Sequence, residues 1–265
     1  MKKQESFSEI RFLLYVIDPL GKRNLAVNSE DSCNVVGINL HGTLLTYIPD
    51  HAENDSYFDY DVSSSEDIVW TIKNANDEEW ISSIIIEVDS GGGSSIAGEE
   101  VAEAIKSSEK PVVAFIRQTG ASGAYWAISS ADSIFASKNS DVGSIGVTGS
   151  YLSRGKKNEK DGYTYEDLSA GKFKDSGSTD KPLTKEEREL FMRDINIIYE
   201  NFIEAVSQNR NIPMDKVRKL ADGSTVLGVR AKELGLIDEI GGINEVEEYL
   251  EDITGEKPEI CWEYN

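Results

Sequence analysis

The sequence predicts an α/β fold in which strands and helices alternate, and three observations carry that prediction. Residues 84–88 (IIIEV) form a short, nearly continuous apolar run stopped by glycines, as expected of a strand covered on both faces. The pattern returns at 112–116 (VVAFI) and 134–136 (IFA), so strands recur at regular intervals. Between them, Ile96, Val101, Ala104 and Ile105 repeat at helical spacing, and small apolar residues at 124–131 suggest a second helix. Strands alternating with helices imply βαβ units.

Taken in order, residues 1–32 are mixed and charged, with turn signals at Pro19 and Gly21, and read as an extension outside the main core. Residues 35–48 (VVGINLHGTLLTYI) read as two short strands with Gly42 as a bulge or turn. Residues 50–61 are acidic and carry His51, Tyr57, Phe58 and Tyr60, which points to a surface loop. Ser64-Ser65-Glu66-Asp67 opens a helix, with serine at the cap and acids in the first turn; Ile68, Trp70 and Ile72 supply its inner face. Residues 145–147 read as another short strand, before a glycine- and lysine-rich loop at 149–162.

The last third is helical. Thr184-Lys185-Glu186-Glu187 is a capping box that launches the longest helix, whose stripe is Phe191, Ile195, Ile198, Phe202 and Val206. Short helices follow Pro213 and end at Gly235, and 243–253 is a final amphipathic one. No linker or repeat divides the chain. The expected organisation is an extension (1–32), one domain (33–253) and a tail (254–265).

Composition excludes several functions. A formal net charge of −21 leaves no basic stripe for phosphate backbones, so no nucleic-acid partner is expected. Cys33 and Cys261, at opposite ends, lack metal spacing and do not make a disulfide framework; with only His41 and His51 besides, neither metal nor cofactor is expected. The longest apolar run, 12–17, is far below the ~20 residues needed to span a bilayer. These readings predict a cytoplasmic protein without a membrane anchor.

The chemistry centres on Thr119-Gly120-Ala121-Ser122-Gly123-Ala124-Tyr125-Trp126. A serine in a strand-to-helix turn lined by Gly and Ala can be held exposed beside the positive end of a helix. A packing or capping serine would look the same taken alone. As a nucleophile it needs a base, and no histidine follows it. Lysine serves only when neutral, and lowering its pKa from about 10.4 to 7–8 costs about 3–5 kcal/mol, so a catalytic lysine requires burial. Lys172 and Lys174 flank Phe173, and the residues alone do not choose between them. Gly91-Gly92-Gly93 could bring main-chain N–H groups close to a substrate as an oxyanion hole.

Four spaced motifs now combine: Asp89-Ser90-Gly91-Gly92-Gly93, Gly120-Ala121-Ser122-Gly123, Gly143-Ser144-Ile145-Gly146-Val147 and Gly171-Lys172-Phe173-Lys174-Asp175. In order and interval, over about residues 34–250, the sequence resembles the signal peptide peptidase A family of serine peptidases. The resemblance implies a crotonase-like (ClpP-type) fold of repeated ββα units with a C-terminal helical region. It also implies a Ser/Lys dyad: Ser122 as nucleophile, Lys174 as base and Ser144 orienting the lysine. Gly92 and the Ser122 N–H would form the oxyanion hole, with Gly91, Gly93 and Gly123 around the substrate. The family has proline at position 91 and glycine at 124. The implied activity is endopeptidase cleavage of extended or unfolded peptides through an acyl-enzyme, in a homo-oligomeric ring or dome. Alternatives are a phage-type capsid maturation protease, a crotonase-type acyl-CoA enzyme and an inactive assembly module.

Overall fold

The computed structural model describes residues 12–17, 23–27, 33–48 and 61–263. Two compact units divide the chain: residues 1–145 with 203–265, and residues 146–202. The expected surface loop at 50–61 lies almost wholly outside the described residues.

The first unit is built on a sheet. Its strands are β1 (Phe12–Ile17), β2 (Arg23–Val27), β3 (Val35–Leu45), β4 (Val62–Ser64), β5 (Ser83–Gly93), β6 (Val112–Ala121), β7 (Ser133–Ala136), β8 (Asp141–Gly143), β9 (Thr225–Leu227), β10 (Glu239–Ile240) and β11 (Ile260–Glu263). The order is β10-β7-β6-β5-β3-β11-β1-β2, with β4 on β3 and β8 bridging β6 to β9. From β10 through β3 to β11 and β1 every pairing along this path is parallel. Its helices are α1 (Ser65–Asp77), α2 (Ser95–Lys106) and α3 (Gly123–Ile128), then α6 (Met214–Leu220), α7 (Gly228–Leu234) and α8 (Ile243–Thr254).

Burial on both faces explains the continuous apolar run of β5. Ile85 joins Val35, Val113, Phe115 and Phe135 under Val246 and Leu250 of α8. The alternate residues Ile84, Ile86 and Val88 are fully buried on the other face, where α1, α2 and α3 pack. Serine capping of α1 is as read, with the Asp67 N–H donating to Ser64 Oγ at 3.1 Å. Residues 35–45 form one strand rather than two, and Gly42 marks a shift of register between His41 and Thr43.

Three expectations about the chain's ends and turns fail. The supposed tail contributes β11 to the sheet, inserted between β3 and β1. Residues 12–17 and 23–27, expected outside the core, are strands of that same sheet. Cys33 and Cys261 are joined in a disulfide with Cα atoms 5.7 Å apart, and both are buried. The fold brings the two chain ends onto adjacent strands, which a sequence separation of 228 conceals. A smaller difference is that residues 145–147 are not a strand; the strand precedes them as β8.

The second unit holds α4 (Gly155–Lys160) and the first part of α5 (Lys185–Asn209). The capping box is reciprocal: the Thr184 N–H donates to Glu187 Oε2 at 2.8 Å, and the Glu187 N–H to Thr184 Oγ1 at 3.1 Å. An ion-pair network, Asp175–Lys181 at 3.0 Å and Lys181–Glu187 at 2.9 Å, ties the preceding segment to that helix start.

Candidate active site

Ser122 stands between β6 and α3 with φ 52° and ψ −127°. A side chain in that region of φ is strained by about 1–3 kcal/mol, and such strain persists only where the surroundings impose it. Here they do. The Ser122 N–H donates to the Gly143 carbonyl at 2.8 Å, and the Trp126 N–H closes the first turn of α3 onto the Ser122 carbonyl at 2.9 Å. Tyr125, fully buried, anchors α3 by donating its hydroxyl to the Leu236 carbonyl at 2.8 Å; burial pushes that phenol's pKa up, so it stays a donor. Ala124 is also fully buried, which suits a small side chain at that position.

The Ser122 hydroxyl does not cap the helix, and among the described residues it makes no hydrogen bond. The residue is partly exposed. The capping serine that the sequence left open is therefore not what is found.

The glycine run lies against this turn. A Cβ added to Gly92, whose φ is +101°, would come within 2.7 Å of Gly123 N and 2.8 Å of Ser122 Cβ. One added to Gly123 would lie 3.4 Å from Gly93 N. Main-chain groups of both segments thus converge beside Ser122. One expected donor must be corrected: the Ser122 N–H is committed to Gly143 and is not available as an oxyanion donor. The next residue, Gly123, opens α3, where N–H groups have no intrahelical partner. The Gly92 N–H contacts Ser90 Oγ at 3.1 Å, and that hydroxyl donates to the Gly42 carbonyl at 2.6 Å. At Gly91 an added Cβ meets nothing within 4 Å, so that position has no steric need for glycine.

Ser144 follows directly on Gly143 and also has a positive φ, 50°. Its hydroxyl donates to the Gly223 carbonyl at 2.9 Å and its N–H to the Ser224 carbonyl at 3.0 Å. A hydroxyl whose proton is committed in this way presents its lone pairs to another donor. The receiving turn is shaped by Asp222, whose carboxylate takes the Ser224 hydroxyl at 2.6 Å and N–H at 2.9 Å. Those bonds hold the carboxyl below its ordinary pKa. A carboxylate two residues before a serine in a Gly-containing run is the signal from which this support could have been read.

His41 is not near a nucleophilic role. Its Nε2 contacts Glu87 Oε1 at 3.1 Å, and Arg117 reaches the same oxygen at 3.2 Å.

Lys174 belongs to the second unit. It closes a turn with its N–H on the Gly171 carbonyl at 3.0 Å, and its side chain is exposed rather than buried as expected. The two lysines nevertheless differ. Lys172 pairs with Glu186 at 2.9 Å and lies over the Phe173 ring at 5.2 Å, whereas Lys174 has no ion pair among the described residues. Also among the described residues, no cluster of three His, Cys, Asp or Glu could hold a metal, and no helix is long and apolar enough to cross a membrane.

Comparison with known proteins bears on the family to which the chain belongs. A Methanocaldococcus jannaschii protein named as a candidate protease is 34% identical over 219 residues, covering 78% of this chain and 70% of that one. Protease 4 of Haemophilus influenzae is 29% identical over 84% of this chain but only 35% of its own length. The chloroplastic serine protease SPPA of Arabidopsis thaliana is 32% identical over 68% of this chain and 27% of its own. The chain thus spans about a third of those last two relatives. Among solved structures, a ClpP1 variant from Listeria monocytogenes aligns over 78% of this chain and 91% of its own, at 15% identity and a TM-score of 0.49. The sequence profile of Peptidase family S49 matches residues 104–255, so the chain belongs to that family of serine peptidases.

Proposed function

We propose that this chain is a serine endopeptidase that cleaves extended or unfolded peptides with a Ser122/Lys174 dyad. The observation that carries the reading is Ser122 itself: partly exposed, held at a positive φ, its hydroxyl without a hydrogen bond among the described residues and beside the main chain of Gly92, Gly93 and Gly123. In this reading Ser122 Oγ attacks the scissile carbonyl while the neutral Lys174 amine takes its proton. The developing oxyanion takes the Gly123 N–H and draws the Gly92 N–H from Ser90. Ser144 accepts a hydrogen bond from the resulting ammonium, which then protonates the leaving amine. Water, deprotonated by the same lysine, releases the acyl group and restores Ser122.

The exposure of Lys174 in a single chain supports completion of the site by substrate or a neighbouring copy, which would remove the amine from water. A ring or dome of copies fits that need. The Cys33–Cys261 disulfide supports a thiol-oxidising compartment in place of the expected cytoplasm.

Labelling with a fluorophosphonate tests the reading. Wild-type protein is expected to take the label on Ser122 and to cleave an unfolded polypeptide, while Ser122→Ala does neither. Absence of label at Ser122 would reject the nucleophile and leave the acyl-CoA or assembly readings.

A further inference from the structure

We propose that the groove between α1 and α2 is a docking site for a helical segment of a partner protein bearing an apolar stripe flanked by lysine or arginine. The groove, about 1060 Å³, follows α2 from Ile96 to Ser107. Eleven residues of rise at about 1.5 Å each give a length of about 16 Å, enough for three helical turns. Its apolar contacts include Trp70 of α1 and the exposed side chains of Ile96 and Tyr47, which are 59% and 60% accessible. Exposed apolar side chains gathered along one concave surface mark an interaction site more than scattered ones do.

Charge decides what fits. Four glutamates line the groove against one cation, Lys73. Glu100 receives the Ser65 hydroxyl and Glu103 pairs with Lys106, but Glu66 on α1 and Glu99 on α2 have no cationic partner among the described residues. Two open carboxylates on opposite walls of an apolar floor suit a ligand with cations on both sides of its apolar stripe. The groove is separate from the Ser122 site. On the reverse face of α2, Gly98 packs so tightly on α3 that an added Cβ would lie 2.5 Å from the Gly123 carbonyl oxygen.

The test is an anisotropy titration of the full chain with a labelled amphipathic helical peptide of leucine and lysine. Saturable binding is expected, weakened about tenfold by Glu66→Gln with Glu99→Gln and comparably by Ile96→Asp. The same peptide with glutamate for lysine should not bind, and Trp70→Phe should remove the peptide-induced change in tryptophan fluorescence. Unchanged melting curves show that the variants fold. Equal affinity for the wild-type and glutamine-substituted chains overturns the proposal, as does a failure to saturate. Dissociation of a self-associated wild-type chain by Glu66→Gln/Glu99→Gln, without competition by the peptide, also overturns it and assigns the groove to a second copy.

Discussion

The proposed dyad draws on two regions constructed by different physics. Ser122 is fixed by main chain: a parallel sheet buried on both faces, a carbonyl of β8 on its N–H, and glycine contacts too close for any side chain. Lys174 is carried on a segment held by charged side chains, with Asp175, Lys181 and Glu187 joined in series. Hydrogen bonds that Lys181 donates to Glu187 and Asp175 raise its pKa; the Tyr165 hydroxyl and Lys181 hold the Asp175 carboxyl below its ordinary value, and the Thr184 N–H and Lys181 do the same for Glu187. Ser122 is therefore held by packing, and the segment that carries Lys174 by contacts that salt and pH can loosen. Substitutions in the first region should act through geometry, and those in the second through electrostatics.

The largest effect expected is on catalysis. Ser122→Ala and Lys174→Ala should each lower kcat by about a thousandfold or more while leaving the melting temperature near that of wild type. Lys172→Ala, whose ammonium is already paired, should cost far less. Retained cleavage by Lys174→Ala would remove the base from the scheme and leave Ser122 without one. The pH profile adds a second reading: with a lysine base, kcat/KM should rise from neutral towards alkaline pH, and Lys181→Met, which removes the ion pairs that salt screens, should make that activity less sensitive to salt. Ser122→Gly makes the opposite trade. It should abolish labelling yet raise stability by about 1 kcal/mol, because glycine tolerates φ 52° without strain.

Next in size is the disulfide. Closing a loop of 228 residues restricts the unfolded chain, and its loss is expected to cost about 2–5 kcal/mol. Cys33→Ser with Cys261→Ser should lower the melting temperature accordingly, and wild-type protein unfolded without reductant should offer no thiol to alkylation. Two reactive thiols there would reject the cross-link.

How far the sequence could be read follows the same division. The β5 run, the capping serine of α1, the Thr184–Glu187 box and the Ser122 turn were legible because each is a local pattern with a local cause. The pairing of Cys33 with Cys261, the insertion of β11 beside β3 and the shared carboxylate of Glu87 were not, because each depends on which distant strands become neighbours. The commitment of the Ser122 N–H to Gly143 was hidden for the same reason: it is made by β8, whose place beside β6 no periodicity announces. In the sequence only the resemblance separates Lys174 from Lys172, and the physical distinction between them, an ion pair of Lys172 with Glu186, appears only in three dimensions.

Two smaller effects separate packing from charge within the first region. Gly92→Ala must push a methyl against backbone atoms at a positive φ, and should cost about 1–3 kcal/mol along with activity, whereas Gly91→Ala, with open space around it, should stabilise by about 0.4–1 kcal/mol through the unfolded chain. The finest test is Glu87. Burial alone would raise its pKa, but the hydrogen bond from His41 and the charge of Arg117 outweigh that and leave it below the ordinary 4.5. A carboxyl with a lowered folded-state pKa contributes stability above its unfolded pKa and loses it as pH falls through the folded one. Wild-type stability should therefore decline below about pH 4.5, and Glu87→Gln should be less stable at neutral pH but flatter over that acidic range. Parallel acid curves for the two proteins would show that β3, β5 and β6 are held at this end by packing alone.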